Sequence, residues 1–346
     1  MDESKTSLTK QLRAKKFQAP FYTGGSIYIS NKANLIFGLC NFTVAVYNVE
    51  TKEMEAKVVS ENEEILSFVV DPSETTIITY SQNQMFRVWS FPDIRCIKHF
   101  KAQHSIILDL DLQRNLVSAA TSGRSVCIYD YKKGFATHIL KGHKGIISKV
   151  LFHPIAEKLQ VISASVDNTI RIWDLMLNSC VAVLGYSSPC AAFAISRDGN
   201  SLYSTHRDRH LIKWSLLSKA KRENIELDEE VEAIQYIRKQ KKSYIITFGD
   251  KGIARIFDLA SKAFTFECME PSQPFLRCFY VKAKNKLIGI TTEQNFVFYD
   301  LNFTNEGTPQ LDHCNDYTGF HDEILDLVYD NTNNQLVMAT NSSLLK

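Results

Sequence analysis

The chain has 346 residues, is 45% hydrophobic, 11% aromatic and 23% charged, and carries a formal net charge of +2 at pH 7. This near-neutral balance argues neither for nor against a nucleic-acid partner, which only local clusters of charge can indicate. Runs of about 18 apolar residues are absent, and the amino terminus is polar and charged, so we expect neither a membrane helix nor a secretory signal. The composition therefore predicts a soluble, intracellular protein that contacts no membrane.

The eight cysteines show neither a CxxC pair nor a short framework spacing. Most of them fall inside predicted strands, among them Cys40, Cys127 and Cys278. A free thiol in such a position behaves as a small hydrophobe. We therefore expect reduced cysteines and a reducing compartment.

Residues 1–20 are expected to form a basic arm with little regular structure. Its cations include Lys10, Arg13, Lys15 and Lys16, and its apolar residues are few. Such an arm can contact phosphates or the acidic surface of a partner. A solubilising terminus without a partner is the alternative that the composition of the arm favours.

From residue 21 onward, an aromatic residue closes a short apolar strand at a regular interval. These aromatic residues are Tyr47, Trp89, Tyr129, Trp173, Trp214, Phe257 and Tyr299. Their successive spacings are 42, 40, 44, 41, 43 and 42 residues. A period of about 40–45 residues is typical of the four-stranded blade of a WD40 propeller. The repeat therefore predicts an all-β fold, with a seven-bladed WD40 β-propeller over residues 21–318.

Each predicted blade begins with an inner strand at the propeller axis. We predict the inner strands at residues 27–30, 65–69, 106–111, 147–152, 191–195, 231–237 and 276–281. Blade four has the clearest strands, and the outer strand of blade seven has the weakest signal, because Gly307 and Pro309 interrupt residues 302–314. That stretch is expected to be a long connection.

The chain finishes on a partial repeat. Residues 324–328 are typical of another inner strand, and residues 335–339 of the strand that follows it. A partial blade leaves apolar faces uncovered, because each repeat relies on its neighbour for burial. Residues 319–346 are therefore predicted to be the truncated start of a second propeller, an incomplete first blade that a longer protein would complete.

Four residues of blade four, His143, Ser163, Asp167 and Trp173, have the order of the hydrogen-bonded tetrad of WD40 blades. We expect the aspartate to accept from the histidine, and the serine hydroxyl to link the histidine to the indole N–H. Serine, histidine and aspartate together also suggest a hydrolase. The chain has no Gly-x-Ser-x-Gly elbow, and the indole partner explains the other three residues structurally. The sequence therefore predicts a structural tetrad and no catalytic residue.

Residues 206–210 bring two histidines and a carboxylate close together, which could suggest a metal site. The segment falls in the turn between the second and third strands of blade five, where solvated residues are expected. Asp208 is expected to have the structural role of Asp167. Glycine groupings at 24–25 and 249–252 match no phosphate-binding motif. The sequence therefore predicts no metal, no cofactor and no small-molecule substrate.

A second basic cluster comprises Arg238, Lys239, Lys241 and Lys242, in the turn after the inner strand of blade six. This turn belongs to the rim opposite the tetrad turns, where the cations could contact RNA or an acidic partner. A polar hairpin turn without a partner is the alternative interpretation.

Four stretches of the sequence resemble one known family. They are residues 20–25, the blade-four segment from 142 to 174, and the closing segments 321–324 and 337–342. In their order and spacing they resemble the transducin-beta-like-three family of nucleolar WD40 proteins, and the similarity runs from residue 20 to the carboxyl end.

The resemblance implies two tandem propellers and a helical carboxyl-terminal domain in the full-length protein. It also implies membership of the UTP-B module of the small-subunit processome in the nucleus and nucleolus, with the other WD40 subunits of that module as partners. Association with pre-ribosomal RNA and the U-three snoRNP, and a role in rRNA processing and 18S rRNA maturation, follow from the same resemblance.

The sequence thus predicts a non-catalytic scaffold. The alternative is a WD40 adaptor that presents peptides in another assembly, such as a ubiquitin ligase or a trafficking coat, and that would favour an arginine-rich, aromatic pocket at the tetrad rim. An enzyme using the central funnel would need titratable groups near the axis. The predicted inner strands supply mainly Ile, Leu, Val, Phe and Ala there.

Overall fold

The computed structural model describes residues 20–30, 34–60, 63–102, 106–239, 242–268, 273–304, 308–319, 324–330 and 335–340. These residues form a seven-bladed β-propeller in which every blade is a four-stranded antiparallel sheet. Within each blade the strands pair in sequence order, from the inner strand to the outer one. Across this part of the chain, no helix is long and apolar enough to cross a membrane.

The strands of the first four blades have the following bounds. Blade one contains β1 (Ile27–Ile29), β2 (Leu35–Cys40), β3 (Thr43–Asn48) and β4 (Glu53–Val58). Blade two contains β5 (Ile65–Val70), β6 (Thr76–Ser81), β7 (Met85–Ser90) and β8 (Arg95–Lys101). Blade three contains β9 (Ile107–Gln113), β10 (Leu116–Thr121), β11 (Ser125–Asp130) and β12 (Phe135–Lys141). Blade four contains β13 (Ile147–Phe152), a 3₁₀ turn at Ala156–Lys158, β14 (Gln160–Ser165), β15 (Thr169–Asp174) and β16 (Ser179–Gly185).

The remaining strands continue the same order. Blade five contains β17 (Cys190–Ile195), β18 (Ser201–His206), β19 (His210–Ser215) and β20 (Ala220–Glu226). Blade six contains β21 (Val231–Lys239), β22 (Lys242–Gly249), β23 (Ala254–Asp258) and β24 (Ala263–Cys268). Blade seven contains β25 (Phe275–Val281), β26 (Lys286–Thr291), β27 (Asn295–Phe303) and β28 (Pro309–Thr318). After it, β29 (Ile324–Asp330) and β30 (Gln335–Thr340) pair with each other in a separate antiparallel sheet.

The burial pattern of a strand follows its position in the blade. All six residues of the middle strand β11 are buried, whereas exposed and half-buried residues alternate along the outer strand β4. A middle strand packs against a neighbouring blade on each face, so its centre is a continuous apolar run, at residues 126–129 in β11. An outer strand has one face in solvent, and its side chains alternate in polarity because they point to opposite faces.

Seven clusters of buried apolar side chains hold the blades together, and each cluster lies between two neighbouring blades. Between blades three and four, for example, Trp173 packs with Ile128 and Leu140. A blade therefore buries its apolar faces only when both of its neighbours are present. This dependence makes closure of the ring a condition for the stability of the whole propeller.

The ring closes between blade seven and the segment that precedes blade one. The backbone N–H groups of Phe21 and Tyr22 donate to the carbonyl oxygen of Gly319 at 2.8 and 2.9 Å. The side-chain amide of Gln294 donates to the carbonyl oxygen of Thr23 at 3.1 Å. Each blade keeps four consecutive strands, so these hydrogen bonds join the two ends of the ring without the exchange of a strand.

Aromatic packing completes this closure. Phe21 is fully buried, and its ring stacks on Tyr47 of blade one with 4.2 Å between centroids. The same ring lies 5.1 Å from Phe296 of blade seven. Phe21 thus belongs to one apolar cluster that includes residues of both blades, such as Ile36 and Ile288.

The predicted long connection in blade seven was wrong. β28 pairs with β27 along its whole length, so the connection is limited to the residues between Phe303 and Pro309. Leu301 and Leu311 face each other across the two strands and are both buried. Pro309 is tolerated because it occupies the first position of an outer strand. Burial of the leucine pair stabilises the outer strand, although the sequence between the two leucines has a weak strand signal.

Two expectations about the ends of the chain stay predictions. Residues 1–19 of the expected basic arm lie outside the described residues, and only Pro20 of that segment is described. The hairpin of β29 and β30 occupies the place where the start of a second propeller is predicted. A two-stranded sheet is not by itself evidence of a further propeller.

We expect Phe21→Ala to lower the free energy of unfolding by roughly 3–5 kcal/mol, as for other truncations of buried aromatic side chains. The large effect would arise because the removed side chain packs against both blades at the closure. Chemical denaturation followed by tryptophan fluorescence measures it. Phe42→Ala is the control, because Phe42 is 50% exposed and its truncation should change stability by about 0.5 kcal/mol or less. Equal effects of the two substitutions would contradict this role of Phe21.

Candidate functional site

The four predicted tetrad residues of blade four lie in one hydrogen-bonded chain. His143 Nδ1 lies 2.9 Å from Asp167 Oδ2, and His143 Nε2 lies 2.8 Å from Ser163 Oγ. The Trp173 indole N–H donates to the same Ser163 oxygen at 2.8 Å. With Nδ1 donating to the carboxylate, Nε2 is left to accept the serine proton. Each polar side chain in this chain thus has its partner inside the blade.

The environment of the tetrad keeps its histidine neutral and its aspartate ionised. Burial lowers the pKa of His143, and the charge of Arg171 acts in the same direction, although Asp167 opposes both. Burial alone would raise the pKa of Asp167, but hydrogen bonds from the Thr169 hydroxyl, the Lys144 N–H and His143 outweigh it and lower the pKa. The ionised carboxylate of Asp167 therefore accepts hydrogen bonds from His143 and Lys144, which belong to the lead-in loop before β13. These bonds link that loop to the turn between β14 and β15.

The same geometry bears on the hydrolase interpretation. A nucleophilic serine must reach its substrate, and the side chain of Ser163 is completely buried. Its oxygen also lies between the imidazole and the indole N–H, which occupy its hydrogen-bonding positions. The arrangement fits a bond network that stabilises a blade and does not fit an accessible nucleophile.

The indole contact recurs in the two other blades that close on tryptophan. Trp89 donates to Thr79 Oγ1 at 2.9 Å, and Trp214 donates to Ser204 Oγ at 2.8 Å. In blade six the corresponding hydroxyl is that of Thr247, and the closing aromatic is a phenylalanine, which has no N–H. In the described part of the chain the Thr247 hydroxyl has no partner. Blade six therefore keeps the hydroxyl but lacks the indole N–H that donates to it in blades two, four and five.

The expected role of Asp208 in blade five was wrong. Ser204 Oγ lies 2.9 Å from Nε2 of His206, whose Nδ1 lies 2.9 Å from the carbonyl oxygen of Ser188. The carboxylate of Asp208 instead lies 3.5 Å from His210 Nδ1. The histidine of this blade comes from the end of β18, so a backbone carbonyl takes the place of the aspartate. Among the described residues, no group of three or more His, Cys, Asp or Glu could hold a metal ion.

Blades two and six carry ion pairs at the tetrad rim that the sequence patterns did not predict. Arg87 of β7 pairs with Glu63, with 2.7 Å between Nη2 and Oε1. Arg255 of β23 pairs with Glu229, which is fully buried, and its Nη2 lies 2.7 Å from Asp228 Oδ2. Each of these arginines stands two residues before the closing aromatic, and Glu63 and Glu229 stand two residues before the inner strand. These shared offsets are the signal that could have found both pairs.

The central channel contains more charge than the inner-strand sequences predicted. It has a volume of about 610 Å³, and its lining includes Asp109, Lys149, Glu232 and Arg277. The apolar inner strands provide these residues at positions that face the axis, while their alternate positions pack between blades. The inner strands do supply mainly apolar residues, as expected, but four charged side chains among them line the channel.

Asp109 at the channel and Asp111, two residues further along β9, bind the backbone of the next blade. Asp109 Oδ2 accepts the Val150 N–H at 3.0 Å, and Asp111 Oδ2 accepts the Phe152 N–H at 2.6 Å. Burial raises the pKa of Asp109 and raises that of Asp111 to about 7. Because both carboxylates are at alternate positions of β9, they bind alternate residues of β13. Their arrangement joins blades three and four and leaves the carboxylates poorly placed as a catalytic pair.

The predicted basic cluster of blade six is only partly free. Arg238 and Lys242 are exposed at the turn between β21 and β22. Lys239 Nζ donates to Asn285 Oδ1 of blade seven at 2.7 Å and lies 5.4 Å from the centroid of the Phe303 ring. Lys239 therefore joins two blades. Lys241 lies outside the described residues, as do Lys10, Arg13, Lys15 and Lys16 of the arm.

Comparison with known proteins agrees with this architecture. Residues 134–174, which include β15 and the tetrad of blade four, match the family described as WD domain, G-beta repeat. A crystal structure of the computationally designed Ika8 protein is similar to this chain, with a TM-score of 0.70 and 16% sequence identity. The superposition covers 96% of each of the two chains. At that identity the likeness shows the fold alone.

Two mammalian proteins are similar over nearly the whole chain. Transducin beta-like protein 3 of Mus musculus is 26% identical over 347 residues, which are 94% of this chain and 42% of that protein. Transducin beta-like protein 3 of Homo sapiens is 25% identical over 345 residues, with the same coverage. The chain thus spans about two fifths of the length of these relatives.

We expect Trp173→Ala to reduce the free energy of unfolding by roughly 3–5 kcal/mol, because it empties a core position and leaves the Ser163 hydroxyl without its donor.

Asp167→Asn should reduce the free energy of unfolding by less, roughly 1–3 kcal/mol, because it weakens an acceptor without opening a cavity. The pKa of Asp167 is lowered in the folded state, so its contribution is present above about pH 4 and is lost as the pH falls further. Denaturation midpoints at pH 7 and pH 3 test both expectations, with the exposed Met176→Ala as control. Equal midpoints for wild type and Trp173→Ala at pH 7 would sink the tetrad assignment.

A second expectation concerns Asp111. Its pKa is raised to about 7 in the folded state, so between about pH 4 and pH 7 the folded protein binds more protons than the unfolded chain. Stability from this group is therefore full at low pH and declines as the pH rises through that window. Asp111→Asn is neutral throughout and keeps an oxygen for the Phe152 N–H, so its melting temperature relative to wild type should increase from pH 5 to pH 8. Asp93→Asn, at an exposed position, should show no such trend, and a flat difference for Asp111→Asn would contradict the argument.

Proposed function

We propose that this chain, which belongs to the transducin-beta-like-three family of WD40 proteins, is a non-catalytic scaffold of the small-subunit processome that supports pre-rRNA processing and 18S rRNA maturation. The observation that carries the proposal is similarity to transducin beta-like protein 3 over 94% of the chain. The scaffold part agrees with a WD40 propeller, a fold that offers rims and blade edges for protein contacts. The processome part rests on the family resemblance.

The geometry of the polar residues supports a scaffold over an enzyme. The tetrad serine is buried and its oxygen is engaged on both sides. Asp109 and Asp111 use their carboxylates on the backbone of the next blade. Glu232 at the channel pairs with Arg207 of the neighbouring blade. The polar groups that could have formed a reaction centre thus stabilise a single blade, as the tetrad does, or join neighbouring blades.

The proposed partners are the other WD40 subunits of the UTP-B module, with pre-ribosomal RNA and the U-three snoRNP by association, in the nucleolus. The exposed Arg238 and Lys242 form the part of the basic surface that is free to meet phosphates. The arm cations at residues 10–16 would add to it. Lys239 is better regarded as a structural link, because its ammonium group already contacts blade seven.

Purification of a tagged chain from cell extract tests the assignment to the processome. We expect pre-ribosomal RNA, the U-three snoRNA and other WD40 subunits to co-purify with it. A tagged Trp173→Ala variant is a useful control, because a loss of association there would show that an intact propeller is needed. Recovery of ubiquitin-ligase or coat subunits without ribosomal RNA would favour the adaptor alternative and overturn the proposal.

The contribution of charge can be measured separately. We expect Arg238→Glu combined with Lys242→Glu to weaken co-sedimentation with pre-ribosomal particles. The slope of the logarithm of the affinity against the logarithm of the salt concentration should become shallower by roughly 0.7–0.9 for each phosphate that is no longer neutralised. Lys132→Glu with Lys133→Glu, in an exposed turn of blade three, is the matched control and should change neither quantity. The same reversal at Lys10, Arg13, Lys15 and Lys16 measures the arm. If both reversals leave the affinity and the salt slope unchanged, protein contacts alone hold this subunit in the particle.

A further inference from the structure

Blades two, four and six share an arginine that stands two residues before the closing aromatic. These residues are Arg87, Arg171 and Arg255. In blades two and six, Glu63 and Glu229 from the lead-in to the inner strand neutralise the arginine. The comparison between repeats therefore predicts a carboxylate partner for Arg171 as well.

Blade four has no such carboxylate. The residue two positions before β13 is Gly145, in the place of the two glutamates. A Cβ atom at Gly145 would lie 2.8 Å from Val166 Cγ2 and 2.9 Å from the backbone nitrogen of Asp167, which leaves no room for a side chain. The close packing of the lead-in loop on the turn before β15 thus excludes an internal partner at this position.

Arg171 is consequently unpaired. Its Nε atom is buried without a hydrogen-bond partner, and no ion pair of its guanidinium group occurs among the described residues. The guanidinium carbon lies 5.9 Å from the centroid of the Trp173 ring, and the group is next to Gly142. The residue as a whole is partly exposed. A cation held in this way, partly desolvated and without its counter-charge, gains most from an incoming anion.

The loop and turn near this arginine expose two apolar side chains, on the same rim as the exposed Lys141 and Lys144. Ile146 and Val166 are 46% and 54% exposed, and the Val166 N–H donates to the Ile146 carbonyl oxygen at 3.0 Å. Gly142 at Arg171 and Ile146 belong to one loop and are four residues apart, so their Cα atoms lie within about 15 Å of each other. On blade three, Ile106 precedes the inner strand at the equivalent position and is 56% exposed. The rim therefore combines a cation that lacks its counter-charge with neighbouring apolar side chains.

We propose that the tetrad rim of blades three and four binds an acidic and apolar segment of a partner protein. A carboxylate of that segment pairs with Arg171 in the place that Glu63 and Glu229 occupy in the other blades. Apolar side chains flanking the carboxylate cover Ile146 and Val166. A nucleic-acid backbone would satisfy the arginine but would leave these two side chains in water, so the apolar surface favours a protein segment. This binding site goes beyond the proposed function, because it would serve a scaffold in any assembly.

The probe is a fluorescein-labelled twelve-residue peptide in which aspartate alternates with leucine, and its binding to the 346-residue chain is followed by fluorescence anisotropy. We expect Arg171→Gln to weaken binding at least tenfold, because a bidentate guanidinium-carboxylate pair is removed. Arg171→Lys should recover only part of the affinity. Val166→Asp, at an exposed position, should abolish binding independently. Arg209→Gln, an exposed arginine in the turn between β18 and β19 of blade five, is the control and should bind as wild type does.

The location of binding has its own readout, because the chain has only three tryptophans. We expect the peptide to shift the indole N–H resonance of Trp173 more than those of Trp89 and Trp214, since Arg171 lies over the Trp173 ring. Melting curves of each variant show whether it is folded. A peptide with every aspartate replaced by asparagine should bind at least tenfold more weakly.

Several outcomes would overturn the proposal. They are no binding of the acidic peptide at millimolar concentration, equal binding by folded Arg171→Gln, and equal binding of the asparagine peptide. Preferential, Arg171-dependent binding of a poly-uridine oligonucleotide would assign the surface to RNA and would overturn the choice of a protein partner. Failure of co-purification with ribosomal RNA would leave this result unaffected, so the two proposals fail separately.

Discussion

The packing between blades seven and one is the interaction on which every other feature of this propeller depends. Each sheet buries its faces only against its neighbours, so an open ring would expose two apolar faces at once. Phe21, stacked on Tyr47 and packed against Phe296, fills that interface. Backbone hydrogen bonds to Gly319 align the two ends. Because no strand is exchanged, this short segment before β1 has the role that a shared strand would otherwise have. Channel, rims and tetrad keep their positions only while it stays in place.

The polar contacts differ from one interface between blades to the next. Apolar packing recurs at all seven interfaces, whereas among the described residues the pairing of Asp109 and Asp111 with the backbone of β13 is particular to blades three and four. A buried carboxylate is costly unless it is hydrogen-bonded, so its presence commits the two strands to one relative position. The raised pKa of Asp111 is the sign of that cost. Charges at the axis that resemble reactive groups thus serve the geometry of the ring.

The blades have diverged most at the rim that carries the tetrad. Blade four has the full histidine network, blade five takes its histidine from β18, and blades two and six carry an arginine-glutamate pair. Each of these arrangements gives the polar side chains of its blade a partner, but the residues exposed at the rim differ from blade to blade. A scaffold needs surfaces that differ around a common frame, since each partner must find one position on it. The unpaired Arg171 is the clearest case in which satisfaction inside the blade is missing.

The sequence by itself determined the number of blades, the order of their strands and the residues of the blade-four tetrad. It could do so because the aromatic spacing and the tetrad are contained within single repeats, where position along the chain fixes position in space. Only the tertiary structure decided which side chains meet between repeats. The contact of Gln294 with Thr23 joins residues 271 positions apart, and burial of Leu311 against Leu301 turned an expected connection into β28. The charged channel lining, the partner of His206 and the missing partner of Arg171 likewise depend on neighbours that no local pattern identifies. The physical reason is that burial and hydrogen-bond satisfaction are properties of an interface between two segments, whereas periodicity is a property of one.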